Sequence, residues 1–138
     1  MILGIILLVI AVLLAIVGAL GWTGKLPGNS FIGLKVPEVR KSEDLWELAH
    51  KIAGPFWVLG AVALAFGGAF SFVATGWWWT LPALTIVIAL GSVGTGAAKA
   101  AHTVAAVDAR AIAEEQRGGA KPAVNLEALR NAAKNLDM

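Results

Sequence analysis

Three stretches of the chain are apolar at nearly every position, and between the first two lies a segment in which apolar and charged residues are mixed at short range. Residues 1–22 contain no Asp, Glu, Lys or Arg. At about 1.5 Å of rise per helical residue, roughly 20 residues cover the hydrocarbon core of a bilayer. Residues 54–75 form a second uncharged run, and residues 80–101 a third whose one charge, Lys99, lies near its end, where a long stem reaches the interface. The first run exceeds the roughly 7–15 residues of a signal-peptide core and has no basic flank, so it is expected to be a retained span. Pro55 and Pro82 near the starts of the second and third runs suit a first helical turn, where an amide hydrogen is unpaired.

The pattern predicts an all-α membrane protein: three transmembrane helices, a cytoplasmic loop over residues 23–53 with an amphipathic interfacial helix, a short external turn over residues 76–79, and a helical cytoplasmic tail over residues 102–138. The composition agrees, with 58% hydrophobic and 14% charged residues and a mean hydropathy of +0.76. The 11 Lys and Arg fall in the first loop or from Lys99 onward, and none in the 76–79 turn. By the positive-inside rule both basic segments are expected in the cytoplasm and the N-terminus outside. Six tryptophans are present. Trp22, Trp57, Trp77, Trp78 and Trp79 lie at the ends of runs and are expected as interface anchors, because indole pairs an apolar ring with a polar N–H.

Lipid offers helices no hydrophobic reason to associate, so small residues mark the faces that pack. Read at a spacing of four, these are Ala11, Ala15 and Ala19 on the first span, Ala61, Ala65 and Ala69 on the second, and Gly91 and Thr95 on the third. Past residue 101 helix formers continue to the Gly118-Gly119 pair, so the third helix is expected to run on beyond the membrane. A further short helix is expected over residues 125–136, with Asn125 as its cap.

In the loop, Leu26-Pro27-Gly28-Asn29 suits a type II turn with Gly28 at positive φ. Pro37 interrupts any helix there. Ser42 is a good N-cap, and Glu43 and Asp44 follow in the first turn, where the helix dipole favours negative charge. The helix after it, residues 43–52, is expected to lay Leu45, Leu48, Ala49 and Ile52 on lipid with Trp46 as anchor. Glu43, Glu47, His50 and Lys51 then face away, and the chain turns at Gly54-Pro55 into the second span.

These residues resemble the SdpI-like family of integral membrane proteins, whose loop carries an Asn-x-x-x-Gly-Ile-Arg-x-Pro element, then Ser-x-x-x-Trp, then a histidine or asparagine and a glycine. Asn29, Gly33, Pro37, Ser42, Trp46, His50 and Gly54 match. Lys35 stands at the arginine position and lacks the bidentate fork of a guanidinium. The likeness covers about residues 20–100. It implies a small membrane protein conferring immunity to a membrane-acting peptide toxin, or signalling by recruiting a cytosolic partner to the loop and tail. The alternative is an accessory subunit of a larger membrane complex, with other membrane subunits as partners.

Candidate chemistry changes little. Without cysteine there is neither a disulfide nor a thiolate site. Glu47 and His50 have the spacing of a carboxylate-bridged metal bundle, but such a site needs a second pair and two more glutamates inside the spans. His102 and Asp108 fall beyond the third span, outside the place of a proton relay. No nucleophile triad or phosphate loop is present. The expectation is a protein with no catalytic residue, cofactor or metal. Its net charge of +2 and lack of a dense basic run also leave membrane lipid and protein, not nucleic acid, as partners.

Overall fold

A computed structural model describes residues 1–29 and 31–119. Helix α1 spans Ile2–Trp22, α2 Glu43–Phe70 and α3 Thr80–Gly119, with single 3-10 turns at Glu38–Arg40 and Gly76–Trp79. All three helices are long and apolar enough to cross a bilayer, and the chain is an integral membrane protein whose described residues contain no strand. Residues 1–106 form one compact unit, and the helical stretch from Val107 belongs to a second. The expected tail helix over residues 125–136 lies outside the described residues.

Close approach of α1 and α2 organises the first unit. The buried positions of α1 are Gly4, Leu7, Ala11, Gly18 and Gly21. Gly4, Ala11 and Gly18 recur seven residues apart, the period of helices that wind around each other with a left-handed supercoil. On α2 the same period links Trp46, Ala53, Gly60 and Gly67, and again His50, Trp57 and Leu64. Gly54 shows how near the helices come: a Cβ there would lie 2.5 Å from the amide nitrogen of Trp22 and 2.7 Å from the carbonyl oxygen of Gly18. No larger residue fits without moving backbone. α3 packs against α2 through Ala89, buried near Gly60, and Gly96, which meets Phe56.

This corrects the rows read at a spacing of four. Ala11 and Ala61 are buried, whereas Ala19, Ala69, Gly91 and Thr95 are exposed, and Ala15 and Ala65 are half-buried. At 3.6 residues per turn each four-residue step overshoots a full turn by about 40°. The third member of such a row has therefore left the face on which the first one packs. Ala15 and Ala65 line an apolar groove of about 190 Å³ between α1 and α2 instead of closing the interface.

α2 also runs unbroken through Pro55. The expected turn at Gly54-Pro55, and with it a separate interfacial helix, is absent. Residues 43–53 are the first turns of the same helix that crosses the membrane. Pro55 gives up one backbone hydrogen bond to residue 51, and the helix continues past it with Gly54 close against α1 and Phe56 meeting Gly96 of α3. Pro82, by contrast, sits in the first turn of α3 as expected.

The two connections differ. After α1, the Thr23, Gly24 and Lys25 backbone closes the helix in a Schellman motif: Gly24 N–H donates to Gly21 O (3.1 Å) and Lys25 N–H to Leu20 O (2.9 Å), with Gly24 at φ 71°. Gly28 does not adopt a positive φ, so the expected type II turn is replaced by this cap a few residues earlier. After α2, Ser71 caps the helix end through its hydroxyl, which donates to Gly67 O at 2.7 Å, and the chain turns at Gly76 with φ 50°. Trp77, Trp78 and Trp79 are then 82%, 58% and 39% exposed.

Candidate functional site

The loop between α1 and α2 is folded as a cap over the helix ends. Its polar residues build the turns, and Leu26, Leu34 and Val39 point inward. Asn29 closes the first turn with its own side chain: Nδ2 donates to Pro27 O (2.9 Å), while Oδ1 accepts from the N–H groups of Phe31 (3.0 Å) and Ile32 (2.6 Å). Pro37 starts the 3-10 turn, which drives Val39 to full burial. Ser42 Oγ accepts from Leu45 N–H at 3.2 Å and caps α2, with Glu43 and Asp44 in the first turn as expected. Leu26, Leu34 and Val39 pack with Trp46, Ala49, Ala53 and Trp57 of α2 and with Ala100 and Val104 of α3 in one core cluster.

Two aromatic residues of α2 bind the cap by hydrogen bonds. Trp46 Nε1–H donates to Leu26 O at 3.0 Å. The Leu34 amide donates to His50 Nε2 at 3.1 Å, and the other ring nitrogen, Nδ1, lies 2.7 Å from Trp46 O. Nε2 must be bare to accept and Nδ1 must carry the proton to donate, so the pair of contacts selects one neutral tautomer. The imidazole lies against the Trp46 ring, tilted by 33° with centroids 4.1 Å apart, and meets Trp57 edge-on at 5.8 Å. Gly33 has φ 110°, and a Cβ there would collide with His50 Nε2. Glycine at this position is required twice, by backbone conformation and by space.

His50 is only 1% exposed and Trp46 6%, which corrects the helical face assigned from sequence. The expectation placed His50 with the charged residues and Trp46 at the headgroups. In the structure both form the buried side of α2, and Leu45, Leu48 and Ile52 are half-buried around them. Trp57 is likewise no anchor but a core residue, 6% exposed, whereas Trp22 is exposed at the end of α1. The missed signal was the interval of seven between His50, Trp57 and Leu64, which puts the histidine on the packed stripe.

Glu47 and His50, which share a metal-ligand spacing, have separate contacts. Glu47 pairs with Lys51, and both nitrogens of His50 already hold backbone partners. The two side chains serve different neighbours and offer no joint ligand set. His102 is exposed on α3. Lys35, which departs from the family loop's arginine, is exposed. Beside the cap lies an open polar hollow of about 480 Å³, lined by Gly28, Asn29, Arg40, Ser42, Glu43 and Trp46. The Arg40 guanidinium is held there by its bond to Asn29 O, at 3.3 Å.

Comparison with known proteins places this architecture. No curated protein and no solved structure matches the chain. The model of the SdpI/YfhL protein family matches residues 25–95, just over half of the 138 residues. That region holds the loop from Lys25 onward, α2, the tryptophan turn and α3 as far as Thr95, while Gly96, Ala100 and Val104 of the packed face lie just beyond it. Asn29, Gly33, Pro37, Ser42, Trp46, His50 and Gly54 all fall within it, each with a definite part in folding the cap or seating it on the helices. The chain therefore belongs to the SdpI/YfhL family of membrane proteins.

Proposed function

We propose that the protein resides in the bacterial cytoplasmic membrane with its N-terminus and tryptophan turn outside and its cap in the cytosol. There it acts without catalysis, giving immunity to a membrane-acting peptide toxin or passing on its presence through a cytosolic partner that docks at the cap. The observation that carries this reading is the family match, because it falls on the cap and the helices that hold it. The distribution of charge supports the orientation, since the cap is basic and the tryptophan turn has no charge. A cap whose polar groups are largely spent on its own folding is a rigid surface suited to recognition, and Lys35 is the motif side chain left free to meet a partner.

The test is a killing assay. Toxin-sensitive cells expressing the chain should survive a membrane-active peptide toxin from a competing strain, and Lys35→Gln should reduce survival at unchanged protein level. Equal killing with and without the chain, across a panel of such peptides, would overturn the immunity reading. A second reading, an accessory subunit of a larger complex, is favoured by two features: Gly91 and Gly94 of α3 have open space around them, and an apolar groove runs between α1 and α2. Mild detergent extraction followed by mass spectrometry separates the two, since a subunit travels with partners in fixed stoichiometry.

A further inference from the structure

The cap sorts its apolar residues in two directions. Leu26, Leu34 and Val39 turn inward and are at most 9% exposed, whereas Phe31 is 88% and Ile32 49% exposed. The outward pair is not a frayed end. It sits on a turn fixed by three hydrogen bonds of the Asn29 side chain, so the fold itself presents an apolar tip. Arg40 is tied to the base of that turn through Asn29 O. Between α1 and α2 the chain carries Lys25, Lys35, Arg40 and Lys41 against the single acid Glu38. Trp22, 55% exposed at the end of α1, lies close to it in sequence.

We infer that Phe31 and Ile32 are a lipid anchor. The tip dips into the leaflet nearest the cap, and Arg40 at its base meets the phosphate of an anionic headgroup. An apolar wedge beneath a guanidinium matches the order of layers in a leaflet, hydrocarbon below and phosphate above, and the basic excess favours an anionic surface. The cap joins two helices that both cross the membrane, so the bilayer surface is within reach without any further component. The inference moves the anchoring role from Trp46, which is buried, to a pair of residues with no place in the family motif, and it does not depend on the proposed function.

The chain has no cysteine, which permits clean single-site labelling. A nitroxide is attached at Phe31→Cys, at Ile32→Cys, at Ile5→Cys as the lipid reference and at Gln116→Cys as the aqueous reference. Each variant is reconstituted in vesicles of phosphatidylethanolamine and phosphatidylglycerol. The tip labels should show oxygen accessibility close to that of Ile5 and several-fold less access to a water-soluble nickel chelate than Gln116. Nickel access equal to that of Gln116 would overturn the anchor, and so would shielding from both reagents, which would mean that protein covers the tip. With the label at Ile32, leaving Phe31 intact, Arg40→Gln should raise nickel access. An unchanged reading would remove the phosphate contact from the proposal.

Discussion

The two ends of the bundle are built on different principles. At the cap end, residues from four segments are held by specific bonds: Leu26 O on Trp46, Leu34 N–H on His50, Phe31 and Ile32 N–H on Asn29, Leu45 N–H on Ser42. At the tryptophan end the chain reverses in a few residues. A Cβ added to Gly76 there would meet nothing within 4 Å, and the three indoles face outward. Few contacts within the protein therefore fix position at that end. Position at the cap end is set by the protein. The proposed recognition role needs the second kind of control, because a docking face must keep its shape.

Substitutions that separate the ends test this difference. The largest effect is expected at the seam between α1 and α2 that carries the cap. Gly54→Leu places a side chain where backbone atoms of Trp22 and Gly18 already lie, at 2.5 and 2.7 Å from the first added carbon. Overpacking of this sort costs about 3 kcal/mol or more where backbone must shift, and loss of the folded band after mild detergent extraction is the readout. Gly76→Ala at the other end also meets a positive φ, 50°, yet finds open space, so the cost falls to about 1 kcal/mol. Equal damage at both sites would show that the tryptophan turn is as tightly specified as the cap.

Next in size is His50→Phe. It keeps a ring between Trp46 and Trp57 but leaves the Leu34 amide without an acceptor, and a buried unpaired donor costs about 1–3 kcal/mol. Because the cap contains Lys25, Lys35, Arg40 and Lys41, opening it exposes sites for trypsin. Cleavage within residues 25–41 should become faster while the spans stay protected. Trp46→Phe should act in the same direction with a smaller amplitude, about 1 kcal/mol for the lost bond to Leu26 O. If cleavage in either variant matches the parent chain, the two aromatic side chains fill space but do not hold the cap.

How much of this was legible in the sequence depended on range. Features set within a few residues came through: the three spans from their uncharged length, the Ser42 cap, the continuation of α3 to Gly119. Features set by a distant segment did not. Pro55 reads locally as a helix start, yet α2 continues through it because the loop pins the turns before it and α1 packs on Gly54, and tertiary packing outweighs a local preference. His50 reads locally as polar, and nothing near it in the chain announces that Leu34, sixteen residues earlier, supplies a donor. Gly28 and Gly24 are interchangeable by turn chemistry, and the Schellman bonds to Leu20 and Gly21 decide between them. The packing rows were present in the sequence at a period of seven and were obscured by reading them at four.

Lys35 gives the smallest expected effect on stability and the sharpest comparison. It occupies a motif position like His50 and Gly33, but its side chain is exposed, whereas the His50 ring accepts from Leu34 N–H and Gly33 leaves the room that ring needs. Lys35→Gln should therefore change stability by less than about 0.5 kcal/mol, as surface substitutions away from caps and cores do, and leave the trypsin pattern at the other cap sites unaltered. If the cap is a recognition surface, the same substitution should nonetheless lower survival in the killing assay, and Lys35→Arg should restore it, since guanidinium keeps the charge and adds a fork for an acidic or phosphate group. A variant with parental stability and parental protection would place recognition elsewhere on the cap. One that loses stability would mean that Lys35 has a folding role which its exposure does not reveal. Only loss of protection with stability intact, and recovery by arginine, ties the exposed charge of Lys35 to what the cap is for.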